Sequence, residues 1–469
     1  MDAAESGDYG LLSPAWAGTR VSVLTGDSAV LQAMLDVELE WVRVLASAGI
    51  VAAEVPAAVE PACDASRYDP AALAARAQGG GNPVIPLLAD LRALVRETSP
   101  AAAGAVHKAA TSQDVLDSAL MLLASRAVAV ILADANRAVA ALGALAREHR
   151  DTLCVARTLT QHSLPSTFGL RAAQWLHGIG QAAAALEAAA ARLPLQWGGA
   201  SGTLAALSTA VERSGPGTPD ALDLADTLAR RLGLAAPVAP WQTNRLPVTA
   251  LGAALQDLLA AAGRMSNDIL LAGRPEIGEV SEPRAAGRGG SSAMPQKQNP
   301  VLSVLIRSAA LAAPGHGVQL QTAAAAADDD RPSGSWHVEW QALRSLLRLA
   351  GGAAEKLAEL SSGLTVHPEA LRRNLDAAGP LVVSEKLMAT VAPLLDNGEP
   401  GRGKSLLQEL VSRSLAGGGS FAALLRAAVP ADSLSDEELA VQLDPANYVG
   451  ESTALIERIL TAYPGRSSL

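Results

Sequence analysis

Residues Gly287–Pro300 read GRGGSSAMPQKQNP. Glycines at 287, 289 and 290 free the backbone for tight turns, two serines follow, and then Met294, Pro295, Lys297 and Asn299 stand in a mixed polar and apolar order. A solvated spacer has no use for a methionine, a fixed-φ proline and a lysine in that order, so the stretch is built to hold something. Backbone N–H groups of the glycines preceding Ser291 can converge on one point and make an anion hole, which would stabilise the Ser291 hydroxyl as an alkoxide. Lys297 supplies a point charge for that alkoxide or for a carboxylate. Asn299 supplies a neutral donor just before a helix that opens at Pro300.

On both sides of this loop the pattern is helical. Pro247–Ala272 precedes it, Pro300–Ala313 follows, and similar stretches run over Ser118–His149, Ser166–Leu193 and Ser335–Leu360. Nearer the amino terminus, DSAVLQAMLDVELEWVRVLASAGI from Asp27 places Leu31, Met34, Leu35, Val42 and Leu45 on one stripe behind an Asp or Ser cap. Aromatic residues make up only 3% of the chain, and the apolar remainder is dominated by Ala and Leu, which favours close helix packing over sheet. The fold class is therefore all-α. The central helices carry little charge around their circumference, so they meet partners on several faces, as in an elongated bundle that oligomerises. A composition change at Asp376–Gly401 marks a smaller carboxy-terminal domain, and domains are expected at 1–110, 111–365 and 366–469. The working parts are the polar interruptions at Ala77–Pro83, Ala110–Asp114, Arg157–Pro165, Trp197–Gly202, Gly278–Pro300 and Asp328–Gly334.

Charge and composition narrow the function. A formal net charge of −10 and dispersed Lys and Arg residues leave no basic footprint for nucleic acid. Cys63 and Cys154 lie far apart without metal-ligand spacing and are read as packing residues of a protein in a reducing compartment. The amino terminus MDAAESGDYG lacks the cationic and apolar regions of a signal peptide, so a cytoplasmic location is expected. The uncharged run Ser308–Ala327 holds Pro314, Gly315, His316 and Gly317 among weakly apolar alanines and is read as no membrane span. GEPGRGKS at Gly398–Ser405 matches a phosphate-binding loop letter for letter, but EKLMATVAPLLDN before it reads as a helix interrupted by Pro393 instead of a strand. It is read as a helix-to-helix turn.

The opening stretch resembles the Gly-Ser-Ser-x-Met-Pro-x-Lys-x-Asn signature of the fumarase/aspartase superfamily. HKAATSQDVLDSA from His107 is similar to that superfamily's first signature, and ARTLTQHSLPSTFGLRAAQWL from Ala156 to its second. GNPVIPLL from Gly81, GGASGTLAAL from Gly198, PWQTNR from Pro240 and DRPSGSWHVEW from Asp330 look most like the 3-carboxy-cis,cis-muconate cycloisomerase branch. The resemblance covers about Leu11 to Tyr448. It implies a three-domain, all-helical homotetramer with a central twenty-helix bundle and active sites shared by three subunits. The implied chemistry removes a proton next to a carboxylate, passes through an aci-carboxylate carbanion, and expels a group from the neighbouring carbon, with no cofactor or metal.

By that resemblance Ser291 is the catalytic base, and Lys297 and Asn299 hold a substrate carboxylate. Thr111, Ser112 and Gln113 fall in a carboxylate-binding loop at a helix start, where Asp114 serves as a cap. Leu159 stands where the superfamily often has its acid histidine, and His162 is the remaining imidazole able to protonate a leaving group, beside Gln161 as a substrate contact. His107, Arg245 and Arg331 complete the substrate-binding candidates, the arginines because a guanidinium matches a carboxylate bidentately. Trp336 and Trp340, four apart on a helix, are read as packing. The chain departs from cycloisomerases at Gln298, Gln242 and Asp328–Asp330, where that branch usually has Arg, His and a Glu-His-Glu-like triplet. Losing a cation there disfavours a tricarboxylate. The expected function is elimination from a succinate-type dianion to give fumarate, as from nitrosuccinate. Carboxymuconate cycloisomerisation is the alternative, and an inactive structural homologue a third reading.

Overall fold

The computed structural model of the chain describes residues 9–291 and 293–464. Its regular structure is almost wholly helical, with long helices at Asp27–Ser47, Ser112–Glu148, Phe168–Ala190, Leu246–Ala272, Val301–Ala325 and Ser335–Gly363. Two of these run six residues or more past the limits expected from periodicity. The Ser112–Glu148 helix begins six residues before Ser118 because Thr111 and Asp114 cap it, the Asp114 carboxylate accepting the Thr111 N–H at 3.0 Å. The Val301–Ala325 helix passes through Pro314. A proline inside a helix costs about 3 kcal/mol, and the stripe of Ile306, Ala309, Ala313, Leu320 and Ala323 that stays buried on both sides of it offsets that cost.

Arg157–Pro165, expected as a loop, is instead the turn and arms of an antiparallel hairpin pairing Leu153–Thr158 with Gln161–Thr167. Its two-residue turn puts Leu159 and Thr160 at φ 48° and 69°, the geometry that matches the strand twist. Turns of this kind ordinarily carry Asn and Gly, so nothing in the residues announced it. Among the described residues the only other strands are the two-residue partners Val280–Ser281 and Thr365–Val366.

Packing divides the chain into two units, one made of Met1–Ala135, Gln181–Ser266 and Leu302–Ala358, the other of Asn136–Gly180, Asn267–Val301 and Glu359–Leu469. In the first, Val115, Leu116, Ala119, Leu120, Met121 and Ala124 are all buried, so the opening turns of the Ser112–Glu148 helix are enclosed on every side. Glycine lets backbones meet: a Cβ on Gly352 would lie 2.0 Å from the Ala15 carbonyl oxygen. Within this core sits a closed ionic network. Arg245 is 2% exposed and donates to both oxygens of Asp117, at 2.7 and 3.0 Å, and to both oxygens of Glu339. The Trp336 indole N–H adds a 2.9 Å bond to Asp117, and the Trp241 ring lies against the guanidinium at 4.6 Å.

The second unit packs Val155 of the hairpin with Leu375, Val383, Leu387, Val391, Leu407 and Leu425 of the carboxy-terminal helices. Glu279 is its ionic centre. The fully buried carboxylate accepts two bonds from Arg157 at 2.7 and 3.1 Å, one from Arg171 at 3.0 Å and one from the Asn374 amide at 2.9 Å. Before the phosphate-loop look-alike stands the short 3-10 helix Ala392–Leu395, not a strand, and Gly401 at φ 87° opens the helix Arg402–Leu415. Cys63 and Cys154 are free and buried.

By length and composition alone, Ser112–Glu148, Leu246–Ala272 and Val301–Ala325 are apolar enough to cross a membrane. The last overlaps the run Ser308–Ala327, and its most apolar 18-residue window has a mean hydropathy of 1.3.

Arg245→Met should lower stability by about 3–5 kcal/mol in urea unfolding, because it strands two buried carboxylates without a counter-charge. Glu279 supplies a pH test. Burial alone would raise its carboxyl, but hydrogen bonds from Arg157 and Asn374 and the charges of Arg171 and Arg157 hold it below the ordinary glutamate value. A depressed folded value means that the stabilisation is present above the unfolded value of 4.5 and is lost as pH falls through the folded one. Glu279→Gln should therefore be less stable than the parent at pH 7, and the gap should close on titration toward pH ~3.

Candidate active site

The loop that opened the sequence lies in the second unit and is closed at its base by backbone. The Asn299 N–H donates to the Gly289 carbonyl at 2.8 Å, and Gly290 and Gln298 form a bridge. Gly289 has φ 72°, and a Cβ there would lie 2.6 Å from the Asn299 carbonyl oxygen, so glycine is required for the closure. Within the loop Ser291 Oγ accepts the N–H groups of Met294 at 3.2 Å and Ala293 at 3.4 Å. The N–H pair expected from the preceding glycines thus comes from the residues that follow. The effect on the hydroxyl is the same in kind, since two dipoles aimed at Oγ favour negative charge on it. Lys297 is exposed and its ammonium has no partner among the described residues. Gln298 turns its amide back onto the Arg288 carbonyl at 3.0 Å.

The hairpin of the same unit carries Gln161 and His162, both exposed. His162 pairs across the ladder with Arg157, the residue Glu279 grips twice. Glu279 opens the Gly278–Pro300 segment, so one buried carboxylate ties the strand opposite His162 to the start of the loop that bears Ser291.

The first unit holds the other candidates. The Arg331 guanidinium donates to the Thr111 hydroxyl, 220 residues away in sequence, which brings two substrate-binding candidates together at the start of the Ser112–Glu148 helix. Thr111 and Ser112 are half-buried there, a hydroxyl pair at a helix N-terminus suited to a carboxylate. Asp114 caps this helix as expected and also grips the neighbouring loop. It accepts the N–H groups of Gly198 at 2.8 Å and Gly199 at 2.9 Å and the Gln196 amide at 3.2 Å. Burial pushes its carboxyl up to about 6 against the pull of those three donors and the Thr111 N–H.

Two candidates are corrected. Gln113 is fully buried and donates to Asp117 and to the Gln242 carbonyl, so it packs the core behind the helix start. Arg245 spends its five N–H donors on Asp117, Glu339 and the Gln242 carbonyl, which leaves none for a substrate carboxylate. Gln242 is likewise engaged, its amide donating to the Gly199 carbonyl at 2.8 Å.

His107 stands at φ 60°, with its backbone N–H 2.9 Å and its Nδ1 2.7 Å from the two oxygens of Glu38. Glu38 is fully buried. Sequence reasoning missed it, although the signal was present: Glu38 falls on the apolar stripe of Leu31, Met34, Leu35, Val42 and Leu45, and a carboxylate on a core-facing stripe requires a partner.

Comparison with known proteins supplies the family. A family model described as lyase matches residues 22–315. The chain is 44% identical over 466 residues to a nitrosuccinate lyase of Streptomyces davaonensis, covering 98% of this chain and 97% of that one. It is 36% identical over 456 residues to a 3-carboxy-cis,cis-muconate cycloisomerase of Bradyrhizobium diazoefficiens, covering 96% and 97%. Its fold matches the 3-carboxy-cis,cis-muconate lactonizing enzyme of Pseudomonas putida with a TM-score of 0.86 at 34% identity, over 95% of this chain and 96% of that one. The likenesses to these relatives and to the solved structure cover nearly the whole chain. The chain belongs to this lyase family, the fumarase/aspartase superfamily, and is an enzyme of its lyase and cycloisomerase class.

Proposed function

We propose that the protein eliminates nitrous acid from nitrosuccinate to give fumarate. What carries the reading is the Ser291 hydroxyl under two backbone N–H groups in a loop that also bears Lys297, unpartnered among the described residues. As an alkoxide, Ser291 takes the proton from the methylene carbon next to one carboxylate. The electron pair left behind spreads into that carboxylate as the aci form, then closes the double bond as the C–N bond breaks and nitrite leaves with its pair. One proton and one nitrite depart together as nitrous acid. In a site shared between subunits of the assembly, Lys297 and Asn299 from one subunit and Thr111, Ser112 and Arg331 from another hold the two carboxylates, and Gln161 and His107 contact the substrate.

The leaving group suits this chain. Nitrite is a weak base whose departure does not depend on an acid, so Leu159 at the usual acid position is no handicap; His162 hydrogen-bonds the departing nitro oxygens and can pass them a proton as the C–N bond breaks. Gln298 and Gln242 each turn their amides onto backbone carbonyls, so neither offers a cation to a third carboxylate. The relative named for nitrosuccinate supports the same choice. Likeness to the lactonizing enzyme supports a second reading, carboxymuconate cycloisomerisation, which differs in product.

The protein acts as a homotetramer of three-domain subunits, 1–110, 111–365 and 366–469, with shared sites. Supporting this, Val304, Leu311 and Val318 are 48%, 71% and 65% exposed at spacings of seven along the Val301–Ala325 helix, the repeat of a helix-to-helix seam.

Purified protein should release fumarate and nitrite in equal amounts from nitrosuccinate, and Ser291→Ala should lower kcat by about 10³-fold with unchanged thermal unfolding. Lactone from carboxymuconate at a higher kcat/KM would reverse the choice of substrate. Light scattering should return four times the 47.7 kDa chain mass, and Leu311→Glu should yield smaller species. A monomeric parent protein would refute the assembly.

A further inference from the structure

Resting on the reading that His107 faces the substrate, we infer that Glu38 is its positioning residue. The Glu38 carboxylate fixes the ring so that Nδ1 carries its proton toward Glu38 and Nε2 is the nitrogen presented to a substrate oxygen.

The geometry separates this role from simple anchoring. The loop around His107 is already tied down on either side. The Trp41 indole N–H donates to the Lys108 carbonyl at 2.8 Å and the Arg92 guanidinium to the Val106 carbonyl at 3.0 Å. Holding the His107 backbone N–H as well would need one neutral acceptor. The chain instead buries a whole carboxylate on the core face of the Asp27–Ser47 helix, a group that is costly to desolvate, and aims its second oxygen at Nδ1 over 2.7 Å. Among the described residues no Lys or Arg is bonded to it, and its only hydrogen-bond partners are the two nitrogens of His107. The backbone bends into the left-handed region at φ 60° to bring the ring there. The imidazole side chain is 12% exposed, and Nε2 has no protein partner among the described residues. An ionised carboxylate accepts only, so a bond to Nδ1 sets the proton on that nitrogen and decides what Nε2 can do. With a second proton on Nε2 the ring donates to an anionic oxygen, and Glu38 balances the charge on its other edge.

The test uses the full-length protein labelled with 15N-histidine, with fumarate as the probe. The His107 ring should show Nδ1 protonated, and fumarate should move its Nε2 resonance. On nitrosuccinate, Glu38→Gln should lower kcat/KM about tenfold, mainly through KM. His107→Gln should do the same, and the double variant should be no worse than either single one. An unprotonated Nδ1 in the parent protein, an Nε2 resonance indifferent to fumarate, or a Glu38→Gln effect that adds in full to His107→Gln would overturn the assignment. Failure to turn over nitrosuccinate counts against the substrate reading alone, because the tautomer and the fumarate response still decide the role of Glu38. They also decide it if Glu38→Gln does not fold.

Discussion

The loops of this enzyme depend on carboxylates buried in its helical core. Asp114 collects N–H groups from Thr111, Gly198 and Gly199 and the Gln196 amide, which joins a helix start to a loop more than eighty residues away. Glu38 does the same for the His107 loop, and Glu279 for the hairpin and the segment leading to Ser291. A carboxylate out of water must be fully hydrogen-bonded or it unfolds what surrounds it. Each one therefore admits essentially one arrangement of its donors. Apolar packing of alanine and leucine alone is less selective, since similar side chains interchange at small cost.

That division explains how much was legible in the residues. The long helices were readable because burial on them repeats every three to four positions, and errors fell only at ends, where a cap at Thr111 or a tolerated Pro314 overrode periodicity. The hairpin at Leu153–Thr167 was not readable, because Leu159 and Thr160 occupy positive φ without the Gly or Asn that announces such a turn. The candidate loop around Ser291 was legible from its residue order, yet its N–H pair comes from Ala293 and Met294, a direction that only the closed backbone reveals. Arg245 looked like a substrate clamp because its partners Asp117 and Glu339 lie 128 and 94 residues away, beyond the reach of any local pattern.

The chemistry follows from the same economy of charge. An exposed Lys297, an Arg331 resting on the Thr111 hydroxyl and a helix N-terminus are the groups left over once the core has consumed Arg245, Arg157 and Arg171. A base made from a serine hydroxyl also requires that the acidified C–H sit beside a carboxylate held by those cations, because the carbanion is stable only when its charge flows into a paired oxygen.

The most direct measurement of this account is a crystal structure of the assembled protein with fumarate bound. It should show one alkene carbon facing Ser291 Oγ at van der Waals distance, with the two carboxylates taken by Lys297 and Asn299 and by the Thr111, Ser112 and Arg331 groups. Fumarate seated with neither carboxylate on these residues, or with Ser291 turned away from the carbon, would contradict it.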